Sequence, residues 1–263
     1  MTTAGDQNGW WDRFFSGLCL EYVRCARDDE QTRSEAGFIN QALGLPTRSR
    51  VLDVPCGSGR LALEMAERNY RVTAIDQSEQ LIAWATKDAA SRGLNVEWLT
   101  ADMRNLPSDG RFDGAVCFWN SFGYFDDVGN LEFLRAVSRS LKPGGRLALD
   151  TPLLETLLLD AVQEPRVWEQ AGDLLALEER AYDHESGRLE ATWAFIRDGQ
   201  REVREMSMRL YTYRELVTML EQAGFGLHDA YGDLDLTPFE LGAPWLYLVT
   251  TKAGKPDSQP KAK

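Results

Sequence analysis

The sequence lacks any apolar run long enough to cross a membrane. A spanning helix needs about 20 consecutive apolar residues, and every uncharged apolar stretch in this 263-residue chain is much shorter. The first residues, MTTAGDQNGWWDRFF, also lack the basic-then-apolar order of a secretory signal. We therefore expect a cytoplasmic protein with no membrane partner.

Histidine and cysteine are scarce, and basic residues are outnumbered. The two histidines and four cysteines include no CxxC pair, so we expect no metal site and reduced thiols. Lys and Arg total 29 against 41 Asp and Glu, which gives a net charge of −12. An acidic surface repels phosphate backbones and argues against a nucleic-acid partner, although a local basic patch is compatible with this total.

Apolar residues, at 43% of the chain, are sufficient for a large core. Between residues 50 and 151, short strand-like runs alternate with segments of helical spacing. The strand-like runs are RVLDV (50–54), YRVTAID (70–76), NVEWLTAD (95–102), FDGAVCFW (112–119) and RLALDT (146–151). This alternation predicts a parallel sheet with helices on both of its faces.

After residue 152 the pattern changes to strands joined by tight polar turns. LLALEERAYD, GRLEATWAFIRD and QREVREMSMRLYTY are joined at HESG and DG, which is typical of antiparallel hairpins. A helix ended by Gly224 and two closing strands follow. Ahead of the sheet, WWDRFFSGLCLEYVRCA predicts one amphipathic helix across its mouth.

The predicted fold class is therefore α/β: a doubly wound, mostly parallel seven-stranded sheet with helices on both faces and an inserted antiparallel β-layer. We divide the chain into an N-terminal helical lid segment (1–45), a cofactor-binding core (46–154), the inserted antiparallel β-layer (155–210), the C-terminal part of the core sheet (211–252) and a flexible tail (253–263).

The loop after the first strand carries the main functional signal. The strand ends at Asp53, and Gly57 and Gly59 let the backbone approach a ligand at the carboxyl end of the sheet. GSGRLA (57–62) satisfies the dinucleotide pattern G-x-G-x-x-A. Asp53, however, would repel a pyrophosphate and would stabilise a ligand with a sulfonium and an ammonium group.

Two further acidic residues end the next two strands. Asp76 can accept the ribose hydroxyls of either kind of cofactor. Asp102 can accept the amino protons of adenine while Met103 packs against its ring. Acidic residues at the ends of three successive strands favour a shared functional role over coincidence.

The ordered series VLDVPCGSGR, VTAID, LTADM, FDGAVCFWNSFGYF and LKPGGRLALD resembles the motif set of class I S-adenosylmethionine-dependent methyltransferases. The later RLYTYRELVTMLEQAGF and YGDLDLTPF resemble bacterial small-molecule or uncharacterised methyltransferases. The resemblance implies S-adenosyl-L-methionine as cofactor. Its contacts would be Asp53, Cys56, Gly57, Gly59, Asp76, Gln77, Asp102, Met103 and Phe118.

One position departs from the usual E/D-x-G-x-G-x-G loop of this family. Arg60 occupies the place of the third glycine. Because a helix begins there, we expect the position to tolerate a side chain that points away from the ligand.

The acceptor side carries weaker signals. The segment 119–124 lacks the N/D-P-P-Y pattern of nucleobase amino methylation, which favours a small-molecule acceptor. Candidate acceptor contacts are Tyr22, Asn120, Tyr124, Arg209 and Tyr211. Packing or an ion pair would also explain the presence of each of these residues. We assign no catalytic base, since in-line methyl transfer depends mainly on positioning. The oligomeric state stays open, with a homodimer as one option.

Two other functions remain compatible with these residues. An NAD(P)-dependent oxidoreductase is suggested by GSGRLA, but Asp53 and the missing Tyr-x-x-x-Lys pair oppose it. A non-catalytic S-adenosylmethionine-binding protein would keep the same three acidic residues without methyl transfer.

Overall fold

The computed structural model describes residues 9–254, so most of the predicted tail lies outside the described residues. The helices are α1 (Trp10–Phe14), α2 (Leu18–Cys25), α3 (Asp29–Leu43), α4 (Arg60–Glu67), α5 (Glu79–Arg92), α6 (Asp127–Ser140), α7 (Leu154–Gln163) and α8 (Tyr213–Gln222). The strands are β1 (Arg50–Asp53), β2 (Arg71–Asp76), β3 (Val96–Thr100), β4 (Phe112–Cys117), β5 (Leu141–Thr151), β6 (Arg166–Ala171), β7 (Leu174–Asp183), β8 (Arg188–Arg197), β9 (Gln200–Arg209), β10 (Phe225–Tyr231) and β11 (Leu246–Lys252).

Seven strands form the main sheet in the order β10-β11-β5-β4-β1-β2-β3. The pairs from β5 to β3 are parallel, whereas β11 runs antiparallel to both β5 and β10. The predicted fold class is confirmed. Because β1, β2 and β3 point the same way, their carboxyl ends bring Asp53, Asp76 and the segment after Thr100 to one edge of the sheet.

Helices cover both faces of this sheet, which explains the near-continuous apolar character of its strands. Leu52 and Val54 face one buried cluster with Phe133 of α6, whereas Val51 faces a second cluster with Phe38 of α3. Helix α3 therefore packs on the sheet and against α4, and differs from the lid expected for the whole of 1–45. None of the helices between residues 9 and 254 has the length and apolar character needed to cross a membrane.

The other four strands form the inserted layer, an antiparallel sheet in the order β6-β7-β8-β9. Strand β6 and helix α7 were not predicted. The single N-terminal helix expected from the sequence is divided into α1 and α2 at Gly17, whose φ of 56° favours glycine. The carboxylate of Glu202 fills the space where a Cβ would lie, and it accepts a hydrogen bond from the backbone N–H of Leu18 (3.2 Å).

Candidate cofactor and acceptor site

A cavity opens at the carboxyl edge of the main sheet. Its walls come from the β1–α4 loop, the ends of β2 and β3, the segment after β4, and helices α1 and α2. Eight of the nine predicted cofactor contacts line it: Asp53, Cys56, Gly57, Asp76, Gln77, Asp102, Met103 and Phe118. The aromatic residues Trp11 and Phe15 also line it.

Asp53 is the buried carboxylate at the centre of this site. Its side chain is 2% exposed, and its Oδ2 accepts no hydrogen bond from the described residues. Burial raises the pKa of Asp53 to about 7, against the opposing effect of Arg60 and with a further increase from Asp76. An unsatisfied buried carboxylate is costly, so the site fits a ligand that brings a positive charge.

Asp76 fixes the shape of the loop. Its Oδ2 accepts a hydrogen bond from the N–H of Gly57 (2.8 Å), and its Oδ1 accepts one from the N–H of Ser78 (2.9 Å). Burial raises the pKa of this carboxyl group. Each carboxylate oxygen can accept a second bond, so Asp76 can hold the loop and still receive ligand hydroxyls.

Two residues of the loop behave differently from the sequence interpretation. Gly59 does not line the cavity: a Cβ there would lie 2.5 Å from Cη2 of Trp98 and 2.8 Å from Cβ of Ala85. Both this packing and the φ of 82° at Gly59 favour glycine. Arg60 was expected to point away, but its side chain lines the cavity and pairs with Glu35.

At the third strand end, Asp102 is paired with a residue that sequence reasoning missed. Arg104 donates to Asp102 Oδ2 from Nη2 (2.6 Å). Although burial acts to raise it, these hydrogen bonds hold the pKa of Asp102 below its ordinary value. The Arg104 guanidinium also lies 4.1 Å from the ring centroid of Phe125. The pair builds a polar and aromatic wall beside Met103.

The segment after β4 has an unusual backbone. Trp119 and Asn120 have φ values of 65° and 56°, a left-handed conformation that is uncommon for two consecutive non-glycine residues. Asp150 stabilises it, because its Oδ1 accepts a hydrogen bond from the N–H of Asn120 (3.2 Å). The result is that the Trp119 ring lines the cavity. Residues held in this way often belong to functional sites.

Charged side chains surround the Trp119 ring. The guanidinium carbons of Arg27 and Arg60 lie 5.5 and 5.6 Å from its centroid. Glu35 pairs with both arginines, and Arg27 also approaches Glu169 (3.8 Å). Asp150 is buried nearby, and burial raises its pKa to about 7. Together with Asp53, four carboxyl groups thus face two guanidinium groups.

The five predicted acceptor contacts separate into two groups. Tyr124 lines the cavity. Tyr22 and Asn120 do not, but they adjoin Trp119: the Tyr22 ring lies 6.4 Å from that ring, and its hydroxyl donates to Glu169 (2.7 Å). The carboxamide Oδ1 of Asn120 is buried and accepts no hydrogen bond within the described part of the chain.

Arg209 and Tyr211, by contrast, lie away from the cavity. Arg209 pairs with Asp127 and Glu215, both at 3.2 Å. The Tyr211 hydroxyl donates to Asp127 (2.8 Å) and accepts from Asn130 (2.9 Å). These bonds place both side chains behind the segment after β4, and neither side chain lines the cavity.

A second missed residue, Arg188, ties that segment to the inserted layer. It is buried, and its guanidinium donates to the carbonyls of Phe125 (3.0 Å) and Tyr124 (3.2 Å) and to Ser207 Oγ (2.6 Å). No local pattern in the sequence distinguishes this arginine from the exposed arginines of neighbouring strands.

Comparisons with known proteins agree with this geometry. Residues 51–145 match the family described as a methyltransferase domain. The chain is 36% identical over 110 residues to the putative methyltransferase YqeM of Bacillus subtilis, an alignment that covers 40% of this chain and 43% of that protein. It is 24% identical over 241 residues to a glycine/sarcosine N-methyltransferase of Halorhodospira halochloris, covering 90% and 87% of the two chains. The CcbJ methyltransferase of Streptomyces caelestis shares the fold with a TM-score of 0.77 at 18% identity, covering 89% and 96% of the two chains.

Residues 51–145 carry a methyltransferase domain, and the fold of the chain is that of solved S-adenosylmethionine-dependent methyltransferases. S-adenosyl-L-methionine is the cofactor of this family, as the sequence motifs implied. The matches support the methyltransferase interpretation and not the oxidoreductase alternative.

Proposed function

We propose that this protein transfers a methyl group from S-adenosylmethionine to the amino nitrogen of a small molecule. The observation that carries the cofactor assignment is the buried Asp53 carboxylate, whose Oδ2 faces no hydrogen-bond donor among the described residues. The α-ammonium of the cofactor supplies both the donor and the charge that this oxygen needs.

The other cofactor contacts follow from the same edge of the sheet. Asp76 would hold the ribose hydroxyls, and Asp102 with Met103 would face adenine. When bound, the cofactor would supply a methyl group on a positively charged sulfur. An acceptor that binds as an ammonium would first lose one proton to water, and its freed lone pair would then take the methyl in line as the neutral thioether leaves. The residues of the chain contribute position and a site with little water, which are the main needs of this reaction.

The amine assignment rests on the charges around Trp119. Glu35 and Glu169 offset Arg27 and Arg60, so above about pH 7 the ionised Asp150 gives this part of the site a surplus of negative charge. This surplus favours a cationic acceptor over a carboxylate or a phenolate. Trp119 and Tyr124 line the cavity with aromatic surface, which also attracts cations. The relative aligned over 90% of this chain is named as a glycine/sarcosine N-methyltransferase, which supports nitrogen as the methylated atom.

The finer parts of the proposal concern location and partners. We include a cytoplasmic location, supported by four free cysteines among which Cys25 is exposed. The partner is a small-molecule acceptor, and the net charge of −12 disfavours a nucleic acid.

The test is a set of matched acceptors incubated with methyl-labelled S-adenosylmethionine. Each set keeps one carbon skeleton and changes only the reacting group between amine, alcohol, thiol and carboxylic acid. We expect label on amines. Label only on oxygen or sulfur would contradict the amine assignment and leave methyl transfer intact. No label on any compound of a metabolite extract would contradict methyl transfer itself.

A further inference from the structure

The inserted layer has two faces of different character. Its inner face supports the N-terminal helices: Glu169 accepts from Tyr22, Glu202 accepts from the N–H of Leu18, and Phe195 packs in the main core. The side chains that alternate with these point to the opposite face, where the large apolar ones are partly or fully exposed. This second surface, the outer face, has no role in the site described above.

An apolar row crosses the outer face from one edge strand to the other. The register of the four strands places its members directly opposite one another: Trp168, Leu177, Ala194 and Val203. Trp168 is 70% exposed, Leu177 38% and Val203 41%. Only two other large apolar side chains in the described residues are as exposed, Val128 and Leu241, so the row gathers most of this exposed surface in one place.

The rows on either side complete a pattern. On one side, Leu175 and Ile196 occupy the two inner strands. On the other side, the edge strands carry opposite charges in the same row, Arg166 on β6 and Glu205 on β9, with Glu179 and Thr192 between them. A surface with its apolar residues central and opposite charges at opposite edges can be complementary to itself.

We propose that the outer face binds a second copy of this chain through a twofold axis parallel to the strands. That axis places β6 of one subunit over β9 of the other. Trp168 then meets Val203 of the partner subunit, and Leu177 meets the partner's Ala194. Arg166 meets the partner's Glu205, and each contact occurs twice, as an isologous interface requires.

An axis perpendicular to the strands gives a poorer match. It would place Glu179 over the partner's Leu175 and Trp168 over the partner's Trp168. A carboxylate would then be buried against an apolar side chain, which costs free energy without any compensating bond. Charge complementarity therefore selects the parallel axis.

The size of the face sets the strength of the association. Three strands of 10 residues and one of six, at about 3.3 Å per residue and about 4.8 Å apart, give a face of roughly 570 Å² per subunit. This is below the roughly 800 Å² of a standard stable interface. We expect a dimer that dissociates in the micromolar range, and its contacts leave the cavity, on the other side of the layer, open to ligands.

The test is sedimentation velocity of the full chain at increasing micromolar concentrations. Wild type is expected to change from monomer to dimer, and Trp168→Glu is expected to stay monomeric. Leu241→Glu is the matched control, because it makes the same kind of change at an apolar side chain that is 85% exposed but isolated from the row. A wild type that stays monomeric, or a Trp168→Glu variant that still dimerises, would overturn the proposal.

A charge exchange tests the orientation. Arg166→Glu and Glu205→Arg should each weaken association at least tenfold, and the double variant should recover most of it. Arg166 also pairs with Glu179 within the subunit (2.8 Å), but both side chains are mostly exposed and such a pair contributes little to folding. Circular dichroism should therefore show all three variants folded. Failure of the double variant to recover association would contradict the parallel axis.

Discussion

At the scale of single residues, Asp53 combines burial with an unsatisfied oxygen. The residue ends a strand whose side chains alternate between two covered faces, so the fold removes the carboxylate from water. Nothing in the described part of the chain donates to its Oδ2. Such a group is stable as a neutral acid until a cation arrives, and this explains why its pKa lies near 7.

This property predicts a pH dependence of cofactor binding. Below about pH 7, Asp53 holds a proton and attracts the α-ammonium weakly; above it, the carboxylate is free to pair. Affinity for S-adenosylhomocysteine should therefore rise between pH 6 and pH 8, by up to about tenfold for each pH unit below the pKa. Calorimetry in two buffers of different ionisation enthalpy should detect the proton released on binding.

Two variants separate Asp53 from Asp150, another buried acid at this edge. Asp53→Asn should bind more weakly and lose the pH dependence. Asp150→Asn should keep it, although the pKa of Asp150 is also raised to about 7. A pH dependence that persists in Asp53→Asn would assign the proton to another group.

Asp76 gives a second prediction at this scale. Asp76→Ala removes a charge-assisted acceptor, worth about 1.5–3 kcal/mol, and should weaken S-adenosylhomocysteine roughly tenfold or more. Asp113→Ala is the control, because Asp113 also accepts a backbone N–H, that of Arg50 (2.8 Å), but at the opposite end of the strands. An unchanged dissociation constant in Asp76→Ala would show that the ribose lies elsewhere.

At the scale of helices and strands, the sequence predicted those elements that depend on residues close together in the chain. The strands of the main sheet follow from short apolar runs bounded by Gly and Pro, and the cofactor loop from an acid and glycines adjacent in sequence. The break between α1 and α2 could not be predicted, because it depends on Glu202, far along the chain from Leu18. Strand β6 was missed because Trp168, Glu169 and Gln170 are exposed and follow no apolar alternation.

Arg188 connects the inserted layer to the cavity wall and gives a prediction for this scale. Arg188→Met would remove the donor to Ser207 Oγ and one of the two side-chain donors to each of the carbonyls of Tyr124 and Phe125. The free energy of unfolding should fall by about 2–4 kcal/mol, measured by urea denaturation. Arg180→Met in the adjacent strand removes one long, exposed hydrogen bond to Glu164 (3.4 Å) and should change it by less than about 0.5 kcal/mol. Equal effects of the two variants would refute this role.

At the scale of the whole molecule, the two halves of the site have different origins. The cofactor half lies within one continuous segment, so its residues could be proposed from the sequence. The acceptor half joins Arg27 and Glu35 of the N-terminal region with Asp150 and Glu169, which come together only in the folded chain. Arg209 and Tyr211 were chosen from strand spacing alone, and spacing does not reveal that β9 passes behind the cavity wall.

The central claim is that the cavity selects a cationic nucleoside cofactor through Asp53. Isothermal titration of the wild-type protein with S-adenosylhomocysteine and, separately, with NAD tests it most directly. The charge of the site predicts saturable binding of S-adenosylhomocysteine at one site per chain and no binding of NAD, whose pyrophosphate the carboxylate repels. Saturable binding of NAD, with no response to S-adenosylhomocysteine, would contradict it.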